Sequence, residues 1–402
     1  MRRVAITGMG MISACGNDVE RFWDALSQGR PGIAPIVGVN TETLRFKNGA
    51  EVKGFDPSTH FPGSHLDLLD RFAQFALIAA RQAIASSGIE LTPELKRRTA
   101  VITGTSAGGQ GSQDAGFVDL YKNGRDRMHP FSIARTMSNA GASHITMEFG
   151  LTGPAFTTST ACSSSNHAIG QAFWMVRSGQ CDLAITGGSE APFNYGFLKG
   201  WEAMRVIAQD TCRPFCKQRS GLILGEGAGM FVLEPLEDAR ARGANIVGEL
   251  VGFGMSSDAN HITAPSAEGA AAAMRAAIED AHVSPEVIGY INAHGTGTTA
   301  NDPTETRAIH DVFGNHAKRL PISSTKSMHG HALGAAGAIE AVATVLALKH
   351  SLLPPTANFI DADAECDLEY VPNDAKKVTV EYALSNSFAF GGLNAVLAFR
   401  AL

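Results

Sequence analysis

RQAIASSGIELTPELKRRTAVI, residues 81–102, recurs in outline as RAAIEDAHVSPEVIGYI, residues 275–291. Each copy contains an Arg-x-Ala-Ile helical segment, a β-branched residue, a Pro-Glu pair and an apolar run. The copies lie about 190 to 194 residues apart, which is too long a period for a solenoid of short repeats. The repeat therefore predicts two similar α/β halves that meet near residue 250, the first spanning 1–250 and the second 251–402.

Strand-like and helix-like patterns alternate along the rest of the chain, which is typical of α/β layers. Short apolar runs predict buried strands at Val4–Thr7, Thr99–Thr103, Asp182–Thr186, Gly229–Leu233 and Gly289–Asn292. Longer periodic segments predict helices at Phe72–Ser86, Ser165–Ser178, Glu268–His282 and Gly334–Lys349. We expect the first strand to begin at Arg3 and to run into a turn at Gly8 and Gly10.

Composition narrows the classes of function. The 402 residues carry a net charge of −6, which argues against bulk binding of nucleic acid or a membrane surface. Six scattered cysteines are typical of reduced thiols in a cytoplasmic protein. The apolar start Val4–Cys15 is broken by glycines and makes a poor export signal. The apolar segment Ala332–Leu348 contains Glu340 and is too short for a membrane span, so we expect a buried helix.

Glycine is over-represented, with 43 residues where the usual usage gives about 28. No Gly-x-y period or linker composition accounts for the surplus. Scattered glycines in a globular chain predict tight turns and close backbone approaches.

A cysteine surrounded by small hydroxyl residues precedes a helical pattern in Thr158-Ser-Thr-Ala-Cys162-Ser-Ser-Ser165. At the start of a helix, Cys162 would feel the positive end of the helix dipole, which lowers the pKa of a thiol and favours the nucleophilic thiolate. The alternative is a small buried cysteine packed as an apolar residue.

Two further segments carry histidines. In Asn292-Ala-His294-Gly-Thr-Gly-Thr298 a histidine follows a predicted strand, where sites on α/β folds lie. Ser323-Ser-Thr-Lys326-Ser-Met-His-Gly-His331 adds a cation and a histidine that leads directly into a helix. Either histidine is also compatible with a purely structural role on a turn. A metal site at His329 and His331, extended by Cys212 and Cys216, is disfavoured because the spacing matches no structural zinc pattern.

The last motif is Ser385-Asn-Ser-Phe-Ala-Phe390-Gly-Gly392. Phe388 and Phe390 stand at strand spacing, and the glycines permit an unusual backbone. One interpretation is a core strand with a bulge; the other is an aromatic gate whose backbone N–H faces a substrate carbonyl.

Cys162, His294, Lys326 and His331 follow one another in Gly/Ser/Thr-rich segments. In residue type and order they resemble the β-ketoacyl-acyl carrier protein synthases of the elongating, Cys-His-His type. The resemblance covers the whole chain, from Val4–Gly10 through Arg213–Phe215 and Gly225–Gly229 to Gly391–Asn394. It implies the thiolase fold, with two pseudo-twofold-related βα halves in α-β-α-β-α layers, and a homodimer.

The resemblance also implies a decarboxylative condensation of malonyl-acyl carrier protein with an acyl chain held on Cys162. His294 and His331 would donate hydrogen bonds to the malonyl thioester carbonyl. The backbone N–H groups of Cys162 and Phe390 would hold the oxyanion. The acyl carrier protein is the implied partner, and neither a metal nor a diffusible cofactor is needed.

Supporting roles follow by the same resemblance. Lys326 would order the site through Glu340 or Glu305, and Thr296 and Thr298 would bind the pantetheine arm. Phe388 and Phe390 would form the gate. Ala107 and Trp201 would shape the acyl pocket.

The chain departs from the family pattern at several positions. Ser165 and Ala389 stand where glycine is common, and Leu393 stands where threonine is usual. Ser64–Arg71, where basic residues often dock the carrier, is acidic and apolar. We expect the positive patch to come instead from Arg205, Arg213, Lys217 and Arg219.

These departures resemble specialised synthases of the nodulation type. The small Ala107, where the family often has a bulky residue, predicts a long or unsaturated acyl chain. Ordinary fatty-acid elongation, a polyketide-type ketosynthase and a non-elongating chain-length subunit remain alternatives. A degradative thiolase would need a second cysteine near Gly391, and an initiating synthase would lack the second histidine.

Overall fold

The computed structural model describes residues 1–402 and contains one sheet of ten strands. In chain order, the strands are β1 Val4–Ser13, β2 Thr99–Gly104, β3 Ala155–Thr158, β4 Leu183–Glu190, β5 Gly227–Pro235, β6 Gly248–Ser257, β7 Ile288–Asn292, β8 Ile322–Ser323, β9 Tyr382–Ala389 and β10 Leu393–Arg400. Two short pairs lie outside it, at Ala34–Pro35 with Asn48–Gly49 and at Leu352–Leu353 with Lys376–Lys377.

The sheet consists of two sets of five strands with the same topology. The spatial order is β3-β2-β4-β5-β1 in the first set and β8-β7-β9-β10-β6 in the second. In both sets the first three strands in this order pair in parallel, and the remaining pairings are antiparallel. The sets join where β1 pairs with β6 in antiparallel fashion. The repeat in the sequence thus corresponds to a repeat in strand order.

Helices cover both sets of strands and fill the space between them. In chain order, the α-helices are α1 Val19–Ser27, α2 Gly63–Leu66, α3 Arg71–Ser87, α4 Pro93–Arg97, α5 Gln110–Phe117, α6 Ser132–Thr136, α7 Ala140–Phe149, α8 Ser164–Ser178, α9 Tyr195–Met204, α10 Leu236–Ala241, α11 Ala267–Asp280, α12 Asn301–Phe313, α13 Lys326–His329 and α14 Ala336–His350. Helices α8 and α14 contact strands of both sets, while α3 packs on the first set and α11 on the second. The resulting order of layers is α-β-α-β-α.

The first strand differs from its prediction, because β1 continues through both glycines to Ser13 instead of ending in a turn. A Cβ atom on Gly8 would lie 2.0 Å from the carbonyl oxygen of Ala83, and one on Gly10 would lie 1.9 Å from that of Ala79. These glycines therefore allow α3 to pack directly on the strand.

The second half uses the same arrangement. In β6, a Cβ atom on Gly252 would lie 2.3 Å from the carbonyl oxygen of Ala277, and one on Gly254 would lie 2.2 Å from that of Ala273. The division predicted at residue 250 falls inside β6, so by strand order the second half begins at Gly248. The exact domain limits stay a prediction.

The apolar segment near the C-terminus forms a central helix. Leu333–His350 is long and apolar enough for a membrane span by composition, but 89% of it is buried inside the protein. Its residues from Ala336 to Leu348 are buried between the two sets of strands. The sequence prediction of a buried helix here is confirmed.

Candidate active site

The cysteine lies at the start of a central helix, in a 3₁₀ turn formed by Ala161–Ser163. Ala161 has a φ of 50°, which costs a residue with a Cβ atom some free energy and directs the chain sharply into α8. Cys162 is 6% exposed and lines a cavity of about 390 Å³. His294, His331, Thr296, Thr298, Trp201 and Phe390 line the same cavity. The structure therefore brings together most of the predicted site residues.

His331 contacts the sulfur. Its Nε2 atom lies 3.2 Å from Cys162 Sγ, and its Nδ1 atom accepts a hydrogen bond of 3.2 Å from the backbone N–H of Leu333. Because Nδ1 acts as an acceptor, the ring proton is on Nε2 and faces the sulfur. His331 is therefore a hydrogen-bond donor at the nucleophile.

His294 has the same tautomer for a different reason. Lys326 Nζ donates to His294 Nδ1 at 3.2 Å and to the His294 carbonyl oxygen at 2.6 Å. The ring proton is thus also on Nε2. The two imidazole rings stand edge to face with centroids 5.4 Å apart, so the site contains two fixed Nε2–H donors.

Both imidazoles are neutral. Burial and the neighbouring Lys326 ammonium hold the pKa of His294 and of His331 well below its ordinary value. A neutral imidazole donates a hydrogen bond without bringing a charge into the buried site. A neutral state is compatible with the role as hydrogen-bond donors that the resemblance implies for these two histidines.

The thiol behaves differently from the expectation based on helix position. Burial raises the pKa of Cys162 to about 12, while Lys326 and the backbone N–H of Phe390 act in the opposite direction. The expected lowering by the start of α8 is outweighed because the sulfur is removed from water. The N–H groups of His331 and Phe390 are the donors available to a thiolate as it forms.

The structure distinguishes the two carboxylates proposed for Lys326. Glu340 forms the ion pair with Lys326, and both side chains are fully buried. Burial raises the pKa of Glu340 to about 7. Glu305 instead accepts the backbone N–H groups of His294 at 2.9 Å and Gly295 at 2.8 Å, so it shapes the histidine loop.

The aromatic motif lies at the turn between β9 and β10. Phe388 is 7% exposed and its ring centroid lies 6.1 Å from that of His294. Phe390 stacks on Trp201 with centroids 6.1 Å apart. Gly391 and Gly392 have φ values of 84° and 70°, which glycine adopts readily, so the tight turn requires them.

The threonines of the histidine loop lie on the cavity wall, and their hydroxyl oxygens are 2.9 Å apart. Sequence reasoning missed Asp302, which accepts the backbone N–H groups of Phe215 at 2.7 Å and Thr296 at 3.1 Å. Burial raises the pKa of Asp302 to about 6. An acidic residue in the first helical turn after a Gly-rich loop was the available signal.

Ala107 is the one predicted pocket residue that does not line this cavity. It lies in the loop after β2, where its N–H donates to Glu190 Oε1 at 3.2 Å. Sequence reasoning also missed Glu190, which is buried and accepts hydrogen bonds from that loop and from Gly334. No local pattern marked Glu190, since its partners come from distant segments.

Only two of the four cations expected to form a positive patch are exposed at the surface. Arg205 and Lys217 are exposed, but Arg219 is 5% exposed in its ion pair with Asp363. Arg213 pairs with Asp210 at 2.7 Å. The prediction was wrong for Arg219, because spacing in the sequence does not reveal which cations the fold buries.

The residues considered for a metal site serve other purposes. His329 hydrogen-bonds through both ring nitrogens, to the Gly330 carbonyl at 2.8 Å and the Thr325 hydroxyl at 2.9 Å. The sulfur of Cys212 donates to the Thr296 carbonyl at 3.4 Å. No group of three or more His, Cys, Asp or Glu side chains is arranged to hold a metal ion.

Residues 1–239 match the family described as beta-ketoacyl synthase, N-terminal domain, and residues 247–360 match its C-terminal domain. The chain is 46% identical over 399 residues to Nodulation protein E of Rhizobium sp. (strain N33), covering 99% of both proteins. It is 41% identical over 406 residues to 3-oxoacyl-(acyl-carrier-protein) synthase 2 of Staphylococcus aureus (strain COL), covering 99% of this chain and 98% of that protein.

Solved structures with the same fold include the ishigamide ketosynthase/chain length factor, at a TM-score of 0.95 and 39% identity over 100% of this chain and 99% of that one. Another is a type II polyketide synthase acyl-carrier protein in complex with its ketosynthase bound to the hexaketide, at a TM-score of 0.90, 30% identity and the same coverage. These likenesses and the layer order confirm the fold class and the resemblance drawn from the motifs.

Proposed function

The chain belongs to the beta-ketoacyl synthase family, and from this membership and the site geometry we propose that it condenses malonyl-acyl carrier protein with an acyl chain held on Cys162. The product is a β-ketoacyl-acyl carrier protein two carbons longer. The observation that carries the proposal is the convergence of one nucleophile and two neutral Nε2–H donors on one cavity.

The first half of the reaction transfers the acyl group. The Cys162 thiolate attacks the thioester carbonyl of an acyl carrier, the bond from carbon to the carrier sulfur breaks, and the carrier leaves as a thiol with the proton that Cys162 gave up. The backbone N–H groups of Cys162 and Phe390 stabilise the oxyanion. Phe390 lines the same cavity as Cys162, and its backbone N–H acts to lower the pKa of the thiol, which supports this role.

The second stage of the reaction forms the carbon–carbon bond. The bond from the malonyl methylene to its carboxylate breaks, CO2 leaves, and the electron pair passes into the thioester as an enolate. His294 and His331 donate to the enolate oxygen, which carries the developing charge. The enolate carbon attacks the acyl-Cys162 carbonyl and expels the Cys162 thiolate, which takes a proton from water.

Lys326 positions His294 by donating to its Nδ1 atom, and Glu340 neutralises the ammonium in the buried site. Thr296 and Thr298 bind the pantetheine arm, a role supported by their place on the cavity wall. The chain's own groups suffice for this chemistry, so we include no metal or diffusible cofactor among the requirements.

The acyl carrier protein is the proposed partner, and the acyl chain is long or unsaturated. The carrier-bound ketosynthase of the same fold and the similarity to Nodulation protein E support this choice. Ala107 bears on chain length only if a longer acyl chain extends past the described cavity to the loop after β2. Comparing chain-length preference between wild type and Ala107→Ile tests this, because an unchanged cutoff would contradict it.

We propose that the enzyme acts in the cytoplasm as a homodimer. Strand β3 lies at the open edge of the sheet and Phe156 on it is 39% exposed. Tyr121 and Ile133, in the segment before it, are 82% and 78% exposed. An open strand edge beside large apolar side chains is suited to pairing with a second copy. Phe156→Lys should shift the mass measured by light scattering towards the monomer.

The decisive experiment supplies a panel of acyl carriers together with malonyl carrier and reads product length by mass spectrometry. Cys162→Ser and His331→Ala should each abolish condensation, whereas Cys15→Ser, a change at a cysteine remote from the cavity, should not. Normal product from either site variant would contradict the assignment.

A non-catalytic chain-length subunit is the second candidate, favoured by the similarity to a ketosynthase/chain length factor structure. Intact-mass measurement after incubation with acyl carriers separates the two. An acyl adduct on Cys162 supports the enzyme, and absence of an adduct with every carrier supports the partner subunit.

A further inference from the structure

The backbone of Gly334 is held at both its N–H and its carbonyl oxygen by residues of the first half. Its N–H donates to Glu190 Oε2 at 2.9 Å, and its carbonyl oxygen accepts a hydrogen bond from the Ser165 hydroxyl. Ser165 and Glu190 are buried, and neither lines the substrate cavity. This contact joins the beginning of α8, just after the turn that carries Cys162, to the turn that precedes α14.

The Ser165 hydroxyl fits because the neighbouring strand has a glycine opposite it. A Cβ atom on Gly188 in β4 would lie 2.0 Å from Ser165 Oγ. Serine therefore stands at position 165, where related synthases commonly have glycine, and Gly188 leaves the room that its hydroxyl group needs.

The Gly334 peptide lies next to the group that orients His331. Leu333, the preceding residue, has a φ of 47°, and its N–H is the donor to His331 Nδ1. A residue with a Cβ atom keeps such a conformation only when its surroundings hold it. The bond to Glu190 fixes the peptide group between Leu333 and Gly334, and the bond to Ser165 fixes the next one, so together they hold Leu333 in place.

We propose that Ser165 and Glu190 are positioning residues that clamp the backbone of Gly334 and thereby keep the His331 Nε2–H directed at the sulfur of Cys162. The helix that follows the nucleophile thus helps to set the position of the hydrogen-bond donor in the other half. The inference rests on the proposed function for the meaning of His331, but its contacts stand independently of the substrate.

Glu190 extends the clamp to a third segment. Its carboxylate also accepts the Thr105 hydroxyl at 2.9 Å and the backbone N–H of Ser106 at 2.7 Å. Both carboxylate oxygens therefore accept from donors. In Glu190→Gln, one of the two oxygens becomes an NH2 group, and whichever way the amide is turned this group faces a hydrogen-bond donor. The substitution therefore breaks the clamp without changing the side-chain volume.

The test measures alkylation of Cys162 by iodoacetamide at pH 8 without substrates, followed by intact mass. Ser165→Ala removes the hydroxyl and Ser165→Gly restores the family residue. Each should slow alkylation about threefold to tenfold, because a weakened N–H bond to sulfur disfavours the thiolate. Ser87→Ala, which removes a buried hydroxyl bonded within α3, is the matched control and should leave the rate unchanged.

A cycle with His331→Ala separates positioning from general stability. The clamp acts through His331, so Ser165→Ala or Glu190→Gln in the His331→Ala background should cause no further loss of alkylation rate. The proposal would be overturned if the fold-reductions in alkylation rate multiplied in the double variants, or if both single variants kept the wild-type rate. Failure of the proposed condensation would instead appear as missing product in a protein whose alkylation cycle is intact.

Discussion

The two central helices begin with the same backbone device and carry different chemistry. The 3₁₀ turn Ala161–Ser163 precedes α8, and Leu333–Ala335 precedes α14, and each turn opens with a non-glycine residue at a φ near 50°. Both helices have 15 residues. The second position of the turn is Cys162 in the first half and Gly334 in the second. The same turn therefore carries the nucleophile in the first half. In the second half it carries a glycine, close to His331.

The loops after the equivalent strands β2 and β7 show the same pattern. Each is held by a buried carboxylate that accepts its backbone N–H groups, Glu190 for the first half and Glu305 for the second. Only the second loop carries a histidine. Backbone geometry therefore repeats in the two halves because both must pack in the same way. The site side chains differ between the halves because the cavity needs them from one half only.

The largest expected effect on activity comes from a substitution that gives the turn before α8 the glycine found in the turn before α14. Cys162→Gly copies Gly334, so the fold should persist while the nucleophile is lost. Condensation should fall by about 10⁴-fold or more, measured as β-ketoacyl product. Circular dichroism melting checks the fold. An acyl adduct still found on the variant would show that another residue is the nucleophile.

The buried ion pair belongs to the second half alone. Ala168 occupies in α8 the place that Glu340 has in α14, five residues into each helix. Lys326→Met leaves the buried Glu340 carboxyl without its partner and forces it to take up a proton, so it should destabilise the protein by about 3–5 kcal/mol in denaturant unfolding. Adding Glu340→Ala, which copies the first half, should recover part of that loss. Lys349→Met, at an exposed position, is the control and should change little.

The glycines facing the outer helices should respond alike in both halves. Gly10→Ala and Gly254→Ala each place a Cβ atom about 2 Å from a helix carbonyl oxygen, and each should cost about 1–3 kcal/mol of unfolding free energy. Gly200→Ala, at an open position within α9, should instead stabilise by about 0.5–1 kcal/mol. A large difference between the two strand variants would mean that the halves pack unequally.

The smallest effect concerns pH. The pKa of His331 is held well below its ordinary 6.5, so the unfolded chain binds a proton there that the folded protein does not. This histidine therefore lowers stability as pH falls below 6.5, by about 1.4 kcal/mol per pH unit. Because the unfolded histidine is only half protonated at pH 6.5, His331→Asn should reduce the loss of unfolding free energy between pH 6.5 and pH 5.5 by about 1 kcal/mol. An unchanged slope would mean that the imidazole is charged in the folded protein.

Much of the architecture follows from local pattern. The predicted strands and helices lie where the structure has them, because apolar periodicity marks faces that any compact α/β fold must bury. The ends are less well determined. Strand β1 runs past Gly8 and Gly10 because the absence of side chains there serves a distant helix, and no local signal distinguishes that use of glycine from a turn.

The sequence by itself determined the α/β class, the twofold repeat and the order of Cys162, His294, Lys326 and His331, since these are properties of spacing and residue type. Only the tertiary structure decided that Glu340 rather than Glu305 pairs with Lys326. It also decided that Arg219 is buried, and that burial outweighs the helix start at the Cys162 thiol. Each of these depends on how close distant segments come and on how much water they exclude, and both are set by packing between the halves.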